Sequence, residues 1–145
     1  MIRRIQVKGF RALRYVNIGL EDFQVLVGPN ASGKSTFFDA INFVRDIMNV
    51  GIERSVFGDL RVSVPQRALD WFDISWMRNG EDIEILLWVE IPADVISSTD
   101  TPYRYCCYEL ALTFGPHLSL RNETLWLSPS STFPGKGDDR GRQMV

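Results

Sequence analysis

The chain has 145 residues, 45% of them hydrophobic and 23% charged, which suits one globular domain with a buried core and excludes wholesale disorder. Its formal net charge of −2 gives no bulk attraction to nucleic acid. No apolar run reaches the roughly 18 residues of a membrane helix, and none of signal-peptide length follows the charged start, so a soluble, cytoplasmic protein is expected.

The charge is unevenly spread. Arg3, Arg4, Lys8, Arg11 and Arg14 all precede the first acid, Glu21, and read as a solvated basic face. The two cysteines, Cys106 and Cys107, are adjacent and point to opposite faces of a strand, so they cannot easily share a metal or a disulfide. With His117 the only histidine, no zinc site is expected, and reduced thiols suit a cytosolic chain.

In chain order, Ile2 to Phe10 reads as a strand rich in Ile and Val, and Tyr15 to Leu20 as a second, shorter one. Phe23 to Val27 is mostly apolar and is predicted as a third strand, buried on both faces. A loop follows at once, then a helix from about Gly33 to Asn49. Phe37, Ile41, Val44 and Met48 fall at helical spacing, and Phe38, Ala40, Phe43 and Ile47 widen that face. Asp39, Asn42, Arg45 and Asp46 fill the polar side, and Gly51 is the expected stop.

Residues 52–67 show no clear pattern, broken as they are by Gly58 and Pro65. From Trp71 the pattern turns to antiparallel β. Phe72 to Met77 and Asp82 to Ile91 flank Asn79-Gly80, a hairpin signal because both residues tolerate positive φ. Tyr103 to Phe114 alternates, with Tyr108, Leu110, Leu112 and Phe114 on one face, and Leu118 to Leu127 is its expected partner across Gly115-Pro116. Residues 128–145 are rich in Ser, Pro, Gly and charge, and read as a polar tail or linker after a domain spanning 1–127.

The run Gly28-Pro29-Asn30-Ala31-Ser32-Gly33-Lys34-Ser35 fits G-x-x-x-x-G-K-[ST], the phosphate-binding P-loop. Its context, between an apolar strand and an amphipathic helix, is the one that chemistry needs. Glycines let the backbone curl so that successive N–H groups point at phosphate oxygens, and the helix N-terminus adds partial positive charge. Lys34 supplies a point charge for the β- and γ-phosphates, the Ser35 hydroxyl can ligate Mg²⁺, and Thr36 can donate to the α-phosphate. ATP with Mg²⁺ is the expected ligand.

Two stretches carry a resemblance. Lys8-Gly9-Phe10-Arg11-Ala12-Leu13, and the run from Val25 through the P-loop to Thr36-Phe37-Phe38-Asp39-Ala40-Ile41, resemble the N-terminus of ABC-type ATPases of the RecF/SMC/OLD group. That group reads N-F-R-S near its start and later G-x-N-G-x-G-K-[ST]-[NT]-L-[LF]-[DE]-A-I. The look is nearest to OLD-like ATPases labelled AAA-type, which include anti-phage defence proteins. The resemblance covers about the first 50 residues and implies an α/β (α+β) fold. It would be the P-loop lobe I of a two-lobe ATPase, a mixed sheet around the P-loop helix with an antiparallel β extension. It implies head-to-tail dimerisation driven by ATP and, in the intact assembly, work on DNA in repair, processing or defence. Phe10 and Arg11 would then lie near the nucleotide, with Arg11 reaching toward ribose, adenine or phosphate. One departure is Ala31, where the group has Gly; alanine suits an α-like turn better than positive φ.

Hydrolysis needs further parts, a carboxylate for the Mg²⁺ shell and a group that orients the attacking water. In the group these come from a Walker B strand ending Asp-Glu and from a partner's signature motif. No Leu-Ser-Gly-Gly-like segment occurs here. The run Ile85 to Val89 ends in Glu90 but lacks the Asp and precedes Pro92, so it reads as a half-buried antiparallel strand. No catalytic residue is assigned, and little turnover is expected of the chain alone. Either the chain is truncated or a second lobe comes from elsewhere. A stand-alone nucleotide-binding or regulatory module that never hydrolyses is the alternative. A compact phosphotransferase with a lid of Arg54, Arg61 and Arg67 ranks last, because those arginines follow no helical pattern.

Overall fold

A computed structural model describes residues 1–129 and 143–144. Its frame is one sheet in which every neighbouring pair is antiparallel, in the order β2-β1-β3-β4-β5-β6. The strands are β1 (Ile2–Phe10), β2 (Leu13–Gly19), β3 (Ile83–Glu90), β4 (Tyr105–Phe114), β5 (Leu118–Ser128) and the short β6 (Gln143–Met144). The 17-residue helix α1 (Lys34–Val50) lies on one face, followed by α2 (Ile52–Phe57); α3 (Ala93–Thr99) opens just after Pro92.

Period-two alternation makes the face that α1 covers. Ile5 and Val7 of β1, Ile83, Ile85 and Leu87 of β3, and Tyr108, Leu110 and Leu112 of β4 point the same way, brought level by the pairs Ile5↔Leu87, Val7↔Ile85 and Ile85↔Leu110. Onto them α1 lays Phe37, Ala40, Phe43 and Val44. Phe10 and Phe43, both fully buried, stack with centroids 5.1 Å apart. Burying each ring contributes about 1.5–3 kcal/mol. A smaller cluster of Trp88, Cys107 and Trp126 packs elsewhere. Helix α1 stops where Gly51 takes φ 83° and donates its N–H to Ile47 O.

Several expectations need correction. The sheet is wholly antiparallel, not mixed. The segment Phe23 to Val27 joins no ladder, and it is not buried: Phe23, Val25 and Val27 are 84%, 64% and 90% exposed, while Leu26 packs against the core. A strand needs a neighbour to satisfy its N–H and C=O groups, and none of the described strands runs beside this one.

The hairpin at Asn79-Gly80 is also absent. Residues 71–74 and 76–78 form 3-10 turns, the first fixed by a capping box between Asp70 and Asp73. Met77 and Arg78 sit at φ 50° and 58°, the Ser75 hydroxyl accepts the Gly80 N–H, and Asn79 Oδ1 accepts that of Glu81. Local side-chain bonds therefore take the backbone groups a ladder would use. Strand β3 pairs instead with β1 and β4. Within α1, Phe38 and Met48 are exposed, and Asp46, assigned to the polar side, is buried. The polar tail expected at 128–145 lies mostly outside the described residues. Among them, no helix is long and apolar enough to cross a membrane.

Candidate functional site

The P-loop stands at the head of α1. Gly33 occupies the N-cap position at φ 88° and ψ 3°, a left-handed conformation natural to glycine, and its carbonyl accepts the Phe37 N–H at 2.9 Å. A Cβ there would come within 3.1 Å of Leu13 Cδ2, so the helix start is packed closely against the β1–β2 turn. Ala31 adopts φ 63°. Alanine thus takes positive φ here, although it suits an α-like turn better.

The Lys34 side chain folds back into the loop. Its Nζ donates to Gly28 O at 2.7 Å, Pro29 O at 2.6 Å and Ser32 Oγ at 3.1 Å. The ammonium is thus ringed by neutral oxygens in the hollow of the loop, where a phosphate group would offer it charged ones. Ser35 is exposed and Thr36 half-buried on the first turn of α1. Asn30 and Ala31 form the exposed crest of the loop.

Arg11 sits in the β1–β2 turn at φ 50°, with its N–H bonded to Ile74 O at 2.9 Å. Its Nη1 donates to Asp39 Oδ2 at 2.7 Å. The other oxygen of Asp39 accepts from Arg67 Nε at 2.8 Å. Arg67 also donates to Asp46 Oδ2 at 2.7 Å and Ser55 O at 2.8 Å, and its guanidinium lies 5.4 Å from the centre of the Phe43 ring. Burial works against the Asp46 charge, but hydrogen bonds from Arg45 and Arg67 overcome it and hold the carboxyl below its ordinary value.

Beside Arg11 an open cavity of about 410 Å³ is lined by Arg11, Gln66, Arg67, Ala68, Leu69 and Asp73. Hydrogen bonding from the Leu69 N–H, despite partial desolvation, keeps the Asp73 carboxyl low, with smaller help from the Asp70 N–H, Arg78 and Arg11.

The loop residues and Arg11 are thus gathered around the start of α1. Phe10 is not at the surface of that site; it belongs to the core. The sequence does not foresee this cluster: it assigns Asp39 and Asp46 to a polar helix side and Arg67 to a lid ranked last, because the partners lie 21 to 28 residues apart. The one available signal was Asp39 at the [DE] place of the family pattern. Among the N-terminal cations, Arg3 is ion-paired with Asp22 and Glu90, Lys8 with Glu84 and Arg11 with Asp39, while Arg14 lies over the Trp76 ring. Glu90 lies beside Met1, at the end of the sheet opposite Phe10, roughly 25 Å from Phe10 by strand rise.

Residues 1–87 match the AAA ATPase domain family, and the chain belongs to it. Over 44 residues it is 43% identical to the OLD nuclease of Thermus scotoductus, covering 30% of this chain and 8% of that protein. Over 53 residues it is 36% identical to structural maintenance of chromosomes protein 1 of Saccharomyces cerevisiae, covering 37% and 4%. The chain therefore spans a small part of these relatives. Its fold is similar to a structure from work on ATP-driven dimerization and DNA stimulated activation of SMC ATPases. The TM-score is 0.52 and the identity 19%, over 87% of this chain and 68% of that one. The AAA ATPase domain family implies ATP binding.

Proposed function

We propose that the chain binds Mg²⁺·ATP through Gly28 to Thr36 as the P-loop lobe of a two-lobe ATPase head, and that it needs a second lobe to hydrolyse. The observation that carries the binding claim is the Lys34 ammonium held within the loop by Gly28 O, Pro29 O and Ser32 Oγ. Phosphate oxygens replace these neutral acceptors with charged ones, and the α1 N-terminus favours the same anion.

For the metal the chain offers one ligand, the Ser35 hydroxyl at the start of α1. Among the described residues no group of three His, Cys, Asp or Glu could hold an ion. That donor set suits Mg²⁺, which keeps waters and takes its other ligands from the phosphates. When bound, the ion would neutralise phosphate charge; Lys34 and the loop N–H groups would orient the phosphates.

The need for a second lobe rests on Phe23, Val25 and Val27. They lead into the P-loop with apolar side chains in water and backbone edges unpaired. Strands from a second lobe, in the same protein or another, would cover them and bring the missing carboxylates. Likeness to parts of an OLD nuclease and an SMC protein supports an assembly that acts on DNA, with ATP holding two heads together.

Uniform binding of ATP does not accelerate the chemical step; groups aimed at the attacking water do. A phosphate-release assay on the purified chain, with and without DNA, tests this. Binding with turnover far below about 1 s⁻¹ is expected. Turnover near that value, lost in Glu90→Gln, would make this chain a complete ATPase and overturn the proposal.

A further inference from the structure

We infer that Asp39 is a positioning residue: held by Arg67, it fixes the Arg11 guanidinium beside the P-loop, so that Arg11 meets the nucleotide already oriented. This rests on the nucleotide-binding reading of the site and adds to it how Arg11 is held.

Asp39 divides its carboxylate between two guanidiniums, Oδ2 to Arg11 and Oδ1 to Arg67. The two arms differ in kind. Arg67 is immobile: its side chain is 2% exposed, it makes three charged or carbonyl contacts, and its backbone N–H is bonded to Val56 O. Asp46 already anchors it to α1. The Asp39–Arg11 arm is half open to water, with side-chain exposures of 20% and 38%. Pairs that exposed contribute little to stability, so the fold does not need this one. What the arm does is restrict a long side chain whose neighbourhood includes the cavity of about 410 Å³.

The placement fits that task. Asp39 is four residues beyond Ser35 on α1, on the same face and about 6 Å farther along the axis. It can therefore steer a guanidinium at the edge of the phosphate site without placing its own charge in the cradle. Among the described residues Asp39 is the only side chain hydrogen-bonded to Arg11, through Nη1 alone, with Asp73 near enough to feel its charge; Nε and Nη2 are left for a ligand. An arginine oriented beforehand loses less freedom when it binds.

The test is a double-mutant cycle on Mg²⁺·ATP affinity, measured by calorimetry for wild type, Arg11→Ala, Asp39→Asn and the double variant. Each single change is expected to weaken binding about three- to tenfold, and the double variant to bind no worse than Arg11→Ala alone. Arg67→Lys, which keeps charge but not the fork, should follow Asp39→Asn and likewise lose its effect in the Arg11→Ala background. A purely structural role would give the same loss in both backgrounds. That result, or an unchanged affinity in Asp39→Asn, overturns the inference. If Asp39→Asn fails to fold by near-ultraviolet circular dichroism, Asp39→Glu, one methylene longer, takes its place in the cycle. Failure of the underlying reading looks different: Lys34→Ala would then leave ATP binding unaltered, whatever the cycle gives.

Discussion

Arg67 Nη2 donates to Asp46 Oδ2 at 2.7 Å, and the two side chains are only 2% and 3% exposed. This pair ties the segment after α2 to the middle of the P-loop helix. Removing Asp46 leaves the buried Arg67 guanidinium with Asp39 as its remaining carboxylate, a partial loss that costs about 1–3 kcal/mol. Asp46→Asn should lose stability on that scale in urea unfolding. A loss under about 1 kcal/mol would mean that water reaches the pair.

The same carboxyl gives a pH dependence of known sign. Burial opposes its ionisation, yet Arg45 and Arg67 hold its folded value below the ordinary 3.8. The stability it contributes is complete above the unfolded value and is lost as pH falls below 3.8 and through the folded value. The stability gap between wild type and Asp46→Asn should therefore narrow on acidification to about pH 3. A constant gap between that pH and neutrality would contradict the assignment.

Ala31 holds φ 63° in the loop. A side chain in that region costs roughly 1–2 kcal/mol, partly offset by the greater unfolded freedom of glycine. Ala31→Gly should stabilise the chain by up to about 1 kcal/mol in the same assay. Destabilisation would place the loop in another conformation.

Phe23, Val25 and Val27 form an exposed apolar edge beside the nucleotide site. The isolated chain should self-associate through it, as uncovered strands do. Phe23→Lys with Val27→Lys should reduce light scattering and change stability by less than about 0.5 kcal/mol, because these side chains bury nothing. A larger loss would show that they pack within this chain.

The legible parts of the sequence were those whose signal is local. Ile2–Phe10 and Lys34–Val50 follow from alternation and helical spacing, and the loop Gly28 to Ser35 at the head of that helix from a contiguous motif. Residues 71–78 misled because their alternation is real, while Asp70 and Asp73 cap a tight turn that alternation does not register. Phe23 to Val27 carries the composition of a central strand, but composition states what a segment needs and not whether the neighbours are present. Asp46 fits the polar row of its helix and is nevertheless buried, since Arg67, 21 residues on, comes to meet it. No periodicity encodes such a pair.

Binding of ATP at the P-loop turns most directly on Lys34. Calorimetric titration of Mg²⁺·ATP into wild type and Lys34→Ala measures whether its ammonium exchanges the loop oxygens for phosphate. Loss of a charge-assisted contact of about 1.5–3 kcal/mol predicts affinity at least tenfold weaker in the variant. Equal affinity in the two proteins, or no binding by wild type, would contradict the central claim.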